Sequence, residues 1–547
     1  MTRTPTQPIR QATYRILAAD HLADQGLAFL RGEPDVEVDS RPDLGEDELA
    51  AVVGDYDGLI VRSAAQITAK VLSQPGQLKV IARAGVGVDN IDLHAATAAG
   101  VLVLNTAEAS TITTAEHTFA LLLALARHIG PAHQSMARGE WKRSGFAGHQ
   151  LAGKTLGIIG FGRIGRTIAE RALAFGMQVQ AFDQYINAAT MMDGKIKMRA
   201  RFEDMLPDSD VLTFHVPLND QTRDMLNASN LAQCADGVLI VNASRGGVIN
   251  EEALLAALNS GQVAGAALDV FSSEPLGSDS PLRQHDRLLL TPHLGASTVE
   301  AQQAVSTDAA VAVLDYLRGK SVRGAVNVTG LRLDLDPLQA CYVDLANRMA
   351  RLLDPMISGG VKAITLQIRS QELGTVATTI ERMSLIGLLQ SHLDTPVNLV
   401  NARHISDQRG IELRTVTSES AATEGPQLAI EVVADGRRGG QPHRIVGRVY
   451  HDMRPRVVEI NSYHMDMIPA GCMVLIQNDD RPGMVGLVGV EFGRANINIA
   501  DMAISRRDQT ALMVLKVDAD PPDQLLDHLR QQEGICRVAI VKLPDEK

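Results

Sequence analysis

Residues 154–183 constrain the fold of this chain more than any other segment. A short apolar run, KTLGII, leads into GFGRIG, whose glycines are Gly160, Gly162 and Gly165. After a helical stretch, a second apolar run, MQVQAF, ends at Asp183. Glycines at this spacing permit a tight strand–helix turn and bring helix N-terminal N–H groups close to a pyrophosphate. Asp183 can accept hydrogen bonds from a ribose 2′-hydroxyl and would repel a 2′-phosphate. The segment therefore predicts a dinucleotide-binding βαβ unit that prefers NAD to NADP.

Three polar residues follow apolar runs further along the chain. Arg245 lies in NASRGGVINEEAL, Glu274 in ALDVFSSEP and His293 in TPHLGAST. Turns after the strands of an open α/β sheet form its ligand crevice. Arginine binds a carboxylate through two donors. Histidine exchanges a proton near neutral pH, and a neighbouring carboxylate stabilises its protonated form. Together these residues indicate hydride transfer at a 2-hydroxy or 2-oxo acid.

Six motifs in order resemble the D-isomer-specific 2-hydroxyacid dehydrogenase family. They are VIARAGVGVDNID, GKTLGIIGFGRIG, TFHVPLNDQTRDML, VNASRGGVINEEAL, ALDVFSSEP and LTPHLGAST, between residues 80 and 298. The resemblance implies two Rossmann- or flavodoxin-like lobes, each built on a doubly wound parallel sheet, with the active site between them. The chain as a whole is similar to the long branch of the family that oxidises 3-phosphoglycerate with NAD.

The resemblance also implies the roles of single residues. His293 would be the acid–base, Glu274 would orient it, and Arg245 would bind the substrate carboxylate. Asp269 would accept from the nicotinamide carboxamide, and His215 would line the cofactor cleft without doing chemistry. The NAD contacts implied are Gly160, Gly162, Arg163, Ile164, Gly165, Asp183, Val216, Pro217, Ala243, Ser244, Asp269, Gly295 and Ala296.

Substrate contacts are expected at the ends of two strands of the first lobe. Arg62 and Arg83 would bind the anion, and the backbone at Gly85 and Val86 would supply N–H donors. Alternatively, one arginine caps a strand or pairs with an aspartate, Asp89 or Asp92. Lys142 and Arg143 in EWKRSGF are candidates for contacts from a neighbouring subunit.

One segment departs from the family pattern. Where the family usually has P-x-G-N-S/T, residues 107–111 read AEAST. Losing the proline and the Gly-Asn pair removes a fixed φ and a position that favours positive φ. Substrate specificity is therefore open at this turn. The following TTAEHTFALLLALAR predicts an N-capped helix.

Two further domains follow the dehydrogenase motifs. An α+β segment containing VKAITLQI and QLAIEVVA resembles the intervening regulatory domain of the longest family members. Two interpretations of its function stay open: a spacer that sets the domain geometry, or a sensor of anions or substrate. The last segment resembles an ACT domain with a βαββαβ order. Asp480 and Asn498 match its effector-contact positions, with L-serine the expected effector and a silent dimerisation module the alternative. The expected divisions are a disordered tail at 1–12, a substrate lobe at 13–107 and 300–328, a cofactor lobe at 108–299, the intervening domain at 329–468 and the ACT domain at 472–547.

Composition narrows the remaining function classes. The net charge of −12, without a long basic tract, argues against nucleic acid as the main partner. Four scattered cysteines without a CxxC pair predict neither disulfides nor a metal site, and so a reducing, cytoplasmic compartment. FALLLALA is too short to span a bilayer, and the N-terminal tail lacks the apolar run of a signal peptide.

The family resemblance implies a homodimer or homotetramer. Two alternatives stay open, a glyoxylate, hydroxypyruvate or D-lactate enzyme of the same family, or a corepressor-like NAD sensor. Both relatives usually lack the C-terminal ACT unit.

Overall fold

The computed structural model describes residues 14–186, 188–393, 395–419, 425–435 and 442–546. The tail expected at residues 1–12 lies outside this part of the chain.

The first lobe is a five-stranded parallel sheet between helices. Its strands are β1 Tyr14–Ala18, β2 Val36–Ser40, β3 Gly58–Val61, β4 Val80–Arg83 and β5 Leu102–Asn105, and its helices are α1 Asp24–Gly32, α2 Glu46–Val52 and α3 Leu93–Ala98. The strand order is β2-β1-β3-β4-β5. The chain adds β2 on one side of β1 and β3 to β5 on the other, so the switch point of the sheet lies between β1 and β3. Ligands of doubly wound folds bind at such a switch point. Arg62 and Arg83 lie next to this point, at the carboxyl ends of β3 and β4.

The second lobe carries an eight-stranded sheet that is parallel except for β8. Its helices are α4 Thr111–Ala126, α5 Ile129–Ala137, α6 Arg163–Ala174, α7 Ala228–Leu231 and α8 Glu251–Ser260. Its strands are β6 Thr155–Ile159, β7 Gln178–Phe182, β8 Thr190–Met191, β9 Ile196–Met198, β10 Val211–Phe214, β11 Val238–Asn242, β12 Val263–Leu268 and β13 Leu288–Leu290. Their order is β13-β12-β11-β10-β6-β7-β9-β8, so the switch point lies between β6 and β10.

The N-capped helix start expected in TTAEHTF needs a correction. Helix α4 begins earlier, at Thr111, and its N-cap residue, Ser110, makes no side-chain capping hydrogen bond. Ser110 is fully buried, and within the described residues its Oγ has no hydrogen-bond partner.

A long helix, α9 (Val299–Leu317), returns the chain to the first lobe. The Ser306 hydroxyl accepts a hydrogen bond from Ala23 N at 3.1 Å. A Cβ on Gly26 would lie 2.8 Å from the Ser306 carbonyl oxygen, so only glycine permits this approach of α1 to α9. Ala325 then bridges to Leu104 and completes the lobe.

The third unit is a six-stranded sheet covered by helices. It contains α10 Pro337–Leu353, β14 Val361–Arg369, α11 Gln371–Gly374, α12 Ala377–Leu389, α13 Ala402–Gln408, β15 Glu412–Ser418, β16 Gln427–Ala434, β17 His443–Val449, β18 Pro455–Ile460 and β19 Tyr463–Met467. The order is β15-β14-β16-β17-β18-β19. A capping box between Asp336 and Gln339, with Pro337 at the first helical position, begins α10.

The last unit has the predicted βαββαβ order. Its elements are β20 Cys472–Asp479, α14 Met484–Arg494, β21 Ile499–Arg507, β22 Thr510–Val517, α15 Asp523–Arg530 and β23 Ile535–Lys542, with the antiparallel order β21-β22-β20-β23. Because side chains alternate along a strand, the sheet has two apolar faces. Val474 and Ile476 pack under α14 and α15. Met473 and Leu475 join the core of the third unit. The third and fourth units therefore share one core and form a single block.

Polar and apolar contacts hold this block to its neighbours. Arg348, 3% exposed, donates to the carbonyl oxygens of Pro469 and Pro544 and fixes the end of the chain against α10. Val400 is buried in the core of the first lobe, and Asn398 donates to Gly100 O at 2.9 Å. No helix in the described part of the chain has the length and apolarity to cross a membrane.

Candidate active site

The glycine-rich turn after β6 has the shape that a pyrophosphate needs. Gly160 has φ +90°, and a Cβ there would lie 2.4 Å from His215 O. A Cβ on Gly165 would lie 2.2 Å from Gly160 O, whereas one on Gly162 would meet open space. Helix α6 begins at Arg163, so its first N–H groups point into the space above this turn. The turn fits a dinucleotide.

Asp183 is held in place at the end of β7. Its two carboxylate oxygens accept hydrogen bonds from Phe161 N and Tyr185 N, each at 2.9 Å. A fixed carboxylate beside the turn favours a ribose 2′-hydroxyl and repels a 2′-phosphate. The donor set therefore fits NAD.

His293 and Glu274 form a hydrogen-bonded pair. The distance from His293 Nδ1 to Glu274 Oε2 is 2.7 Å, and Glu274 Oε1 accepts from Phe271 N at 3.0 Å. Burial raises the pKa of Glu274, but the hydrogen bonds from His293 and Phe271 outweigh it, so the pKa lies below its ordinary value. Glu274 thus stays ionised, fixes the imidazole, and leaves Nε2 as the ring atom that can exchange a proton with a ligand.

Asp269 anchors the turn that carries His293. Its side chain is fully buried. The carboxylate accepts from Thr291 Oγ1 at 2.6 Å, Leu294 N at 2.8 Å and Gly295 N at 2.9 Å. Burial raises the pKa of Asp269, and hydrogen bonds led by that from His117 outweigh it and lower the pKa. His293 has φ +54°, a left-handed conformation that costs energy for a non-glycine residue and needs such an anchor. Contact with a nicotinamide carboxamide stays a prediction.

His117 belongs to this network and was missed by the sequence reasoning. Its Nε2 lies 3.1 Å from Asp269 Oδ1 and 3.4 Å from Thr291 Oγ1. Nothing in its local sequence distinguishes it from a histidine on the surface of α4. Only the packing of α4 beside β12 reveals it.

Arg245 reaches across the cleft to the first lobe. Its Nε donates to Asp89 Oδ2 at 2.9 Å, and its Nη1 donates to Ser244 O at 2.6 Å. A Cβ on Gly87 would lie 1.8 Å from Arg245 Nη2, so the glycine makes room for the guanidinium. Asp89, considered above as a partner of Arg62 or Arg83, instead pairs with Arg245.

Arg83 is a buried cation in the same cleft. Among the described residues its Nε has no hydrogen-bond partner. Burial, followed by the charges of Arg245 and Arg62, lowers the pKa of Arg83 to about 10. Three arginines thus converge on one space, and an anion there would relieve both the repulsion and the unmet hydrogen-bonding capacity. Arg62 itself donates to His21 O at 2.9 Å.

The backbone donors expected beside Arg83 differ in their present contacts, and their contact with substrate stays a prediction. Gly85 donates its N–H to Thr106 Oγ1 at 2.8 Å. Gly85 has φ +148°, and a Cβ there would lie 1.4 Å from Arg83 Nη1. The glycine therefore makes space for the guanidinium, and Val86 N remains the candidate donor.

The other expected cofactor contacts lie around the same crevice. Val216 and Pro217 follow β10, Ala243 and Ser244 follow β11, and Gly295 and Ala296 belong to the turn after His293; Ile164 lies in the first turn of α6.

His215 is the remaining titratable group of this crevice. Burial lowers the pKa of His215 to about 3, and its Nε2 lies 2.8 Å from Thr213 Oγ1. It is therefore neutral at physiological pH, which suits a wall of the crevice and not an acid.

The expected effector positions each bond to a different neighbour. Asp480 pairs with Arg506 at 3.3 Å, and Asn498 donates to Asp518 at 2.7 Å. Asn478, 2% exposed, lies two residues before Asp480 and was missed; its Oδ1 has no partner in the described chain. A buried acceptor without a partner is able to accept a hydrogen bond from a ligand or an ordered water, and the sequence alone does not show burial.

Comparisons with known proteins agree with this geometry. Residues 119–295 match the D-isomer specific 2-hydroxyacid dehydrogenase NAD-binding domain. Residues 339–461 match the D-3-phosphoglycerate dehydrogenase intervening domain, and residues 473–534 match the ACT domain. An NAD-dependent formate dehydrogenase from Staphylococcus aureus, solved in complex with NAD, is 29% identical with a TM-score of 0.52, over 57% of this chain and 98% of that one. Fold and site thus define an NAD-dependent dehydrogenase of the D-2-hydroxyacid class.

Full-length relatives narrow the class. D-3-phosphoglycerate dehydrogenase of Bacillus subtilis strain 168 is 36% identical over 535 residues, 97% of this chain and 100% of the relative. The enzyme of the same name from Methanocaldococcus jannaschii is 37% identical over 532 residues, again covering 97% and 100%. The chain belongs to the D-3-phosphoglycerate dehydrogenase family.

Proposed function

We propose that this protein oxidises 3-phosphoglycerate to 3-phosphohydroxypyruvate with NAD, the first step of serine biosynthesis. The observation that carries the proposal is the convergence of Arg62, Arg83 and Arg245 beside the turn after β11. In that turn Gly246 packs against Phe271, whose N–H holds the Glu274 partner of His293. A substrate with a carboxylate and a phosphate matches this charge, and a smaller 2-hydroxy acid would leave part of it unpaired.

The chemistry assigned to the chain is proton transfer and orientation. Arg245 holds the substrate carboxylate and polarises the C2 oxygen. His293 Nε2 accepts the hydroxyl proton, and Glu274 stabilises the imidazolium that forms. The glycine-rich turn would hold NAD, which would supply the acceptor for the C2 hydrogen and its electron pair. Arg62 and Arg83 neutralise the phosphate and draw the lobes together, which excludes water from the cleft.

The first test is NADH formation from 3-phosphoglycerate by the full chain and by His293→Asn. We expect turnover by the native enzyme and a loss of at least about a hundredfold in kcat for the variant. Reduction of glyoxylate or hydroxypyruvate without oxidation of 3-phosphoglycerate would contradict the substrate and point to the AEAST turn.

The second part of the proposal is regulation by L-serine at Asp480 and Asn498. Supporting it are the match to an ACT domain and the unsatisfied Asn478 acceptor beside Asp480. The ammonium of serine would replace Arg506 at the Asp480 carboxylate. Calorimetry of serine with the full chain and with Asp480→Ala tests it. Absence of heat in the native protein would leave the unit as a dimerisation module.

We also propose a homo-oligomer formed through the second lobe, in the cytoplasm. Ile129, Met136 and Trp141 are exposed large apolar side chains on and just after α5, with Trp141 78% exposed. Exposed apolar clusters of this kind mark protein interfaces. Lys142 and Arg143 follow Trp141. In such an oligomer they would contribute positive charge to the substrate cleft of the neighbouring subunit. Light scattering of the native chain and of Trp141→Ser tests the interface. The four cysteines are free, as suits a reducing compartment.

The domain divisions set out above are retained as part of the proposal, with 108–299 as the cofactor lobe. Because the third and fourth units share a core, limited proteolysis should release residues from about 329 onward as one fragment.

A further inference from the structure

The turn that departs from the family pattern contacts the cofactor turn. Glu108, in the AEAST segment, lies between β5 and α4, where the chain crosses from the first lobe to the second. Its Oε1 lies 2.8 Å from Nη2 of Arg163, the first residue of α6. A carboxylate of the crossing segment therefore pairs with the guanidinium at the helix end that faces a bound pyrophosphate.

We propose that Glu108 is an internal anion that competes with the cofactor's pyrophosphate for Arg163 and thereby weakens the binding of NAD and NADH. This inference rests on the proposed NAD-dependent function. A carboxylate and a pyrophosphate present the same kind of acceptor to a guanidinium, so one Arg163 side chain exchanges between them.

Exposure and charge both suit an exchangeable partner. The side chains of Glu108 and Arg163 are 78% and 60% exposed, so their pair is weak and broken at little cost. Asp308 on α9 lies close enough to feel the same charge: burial and then Glu108 raise its pKa, against the effect of Arg323. The negative charge of Glu108 thus acts on α9 as well as on Arg163 at the start of α6.

The size of the effect follows from the exposure of the pair. An exposed ion pair of this kind changes an equilibrium by about twofold to fivefold. Removing the Glu108 charge should tighten NADH binding by this factor. It should also slow NADH release, because differences in affinity between variants of one site fall mainly on the dissociation rate.

The test measures the dissociation constant of NADH by nicotinamide fluorescence on the full chain. Glu108→Gln is compared with Glu116→Gln, a matched loss of one exposed carboxylate on α4 that pairs with Arg171 and not with Arg163. We expect binding about twofold to fivefold tighter in the first variant and unchanged in the second. The gain should shrink as KCl is raised from about 0.05 to about 0.5 M, because salt screens exposed charges.

Arg163→Gln completes a double-mutant cycle. Adding Glu108→Gln to Arg163→Gln should not tighten NADH binding further, because the guanidinium for which Glu108 and the pyrophosphate compete is then absent. Unchanged or weaker binding by Glu108→Gln alone, or a full gain that persists in the Arg163→Gln background, overturns the proposal. Absence of NADH binding by the native chain would instead overturn the proposed function.

Discussion

Replacing Arg83 with methionine should stabilise the protein while weakening its substrate binding. Burial and two neighbouring arginines lower the pKa of Arg83 well below its ordinary value, to about 10. At about 1.4 kcal/mol per pH unit, this corresponds to about 3 kcal/mol of unfavourable energy in the free enzyme. This unfavourable energy is present in full below the pKa of Arg83 in the folded protein and is lost as the pH rises through that value. A stability measurement near neutral pH therefore includes all of it. Methionine has a similar length and no charge to desolvate.

We expect a net gain of about 1–2 kcal/mol, because methionine recovers only part of the packing, and a rise of about 3–8 °C in the melting temperature of the first lobe. Loss of a charged partner for the substrate anion should raise the KM for 3-phosphoglycerate by about 10- to 100-fold. Arg62→Met is the control, since it deletes the same charge but breaks the hydrogen bond to His21 O and should not stabilise. Calorimetric melting and steady-state kinetics measure both effects. A lower melting temperature for Arg83→Met would refute the view of Arg83 as a largely buried cation whose Nε has no partner among the described residues.

Three further predictions follow from the site. Glu274→Gln should lower kcat about a hundredfold, because His293 loses the carboxylate that fixes its ring and stabilises the imidazolium. In the native enzyme the pKa of Glu274 is lowered, so its pairing with His293 is complete above the carboxyl's ordinary range and is lost as pH falls through the folded pKa. A variant with the native kcat would contradict this role of the pair. Asp269→Asn should lower the free energy of unfolding by about 2–4 kcal/mol, because an amide cannot accept from every donor around it. Urea unfolding measures this change, and an unchanged free energy would show that the His293 turn does not depend on the carboxylate. Arg348→Met should increase hydrogen exchange near Pro469 and Pro544, whose carbonyls lose their donor; unchanged exchange would mean that apolar packing alone holds the chain end.

Local rules explain why much of the cofactor site was predictable. Gly160 has a positive φ, and both Gly160 and Gly165 lie too close to neighbouring backbone for a side chain. Both requirements call for glycine, so they can be read from a short stretch of sequence. The same holds for the strand before Asp183, because an apolar run with flanking turn residues fixes where its end lies. The two parallel lobes and the βαββαβ unit, predicted from such runs and the family motifs, are confirmed.

Pairings between distant residues were not predictable from the sequence. Arg245 and Asp89 are 156 positions apart, and their contact depends on how the lobes face each other. Asp269 was expected at the cofactor, and nothing in its local sequence indicates that it anchors the His293 turn. The capped helix start expected in TTAEHTF was wrong for a related reason, since tertiary packing lets α4 begin earlier, at Thr111, without a side-chain cap.

If an effector binds at Asp480 as proposed, the contacts of the block formed by the third and fourth units give the route by which it would act on the first lobe. Because the third and fourth units share a core, a change at Asp480 is transmitted to the block as a whole. The block is joined to the first lobe through Asn398 and Val400, and Asn398 bonds to Gly100, just before β5. Strand β5 lies beside β4, whose carboxyl end carries Arg83. Packed elements move together, so the proposed effector would act first on Arg83 and the arginines beside it, which are the proposed substrate contacts. It would act on the glycine-rich turn only through closure of the cleft.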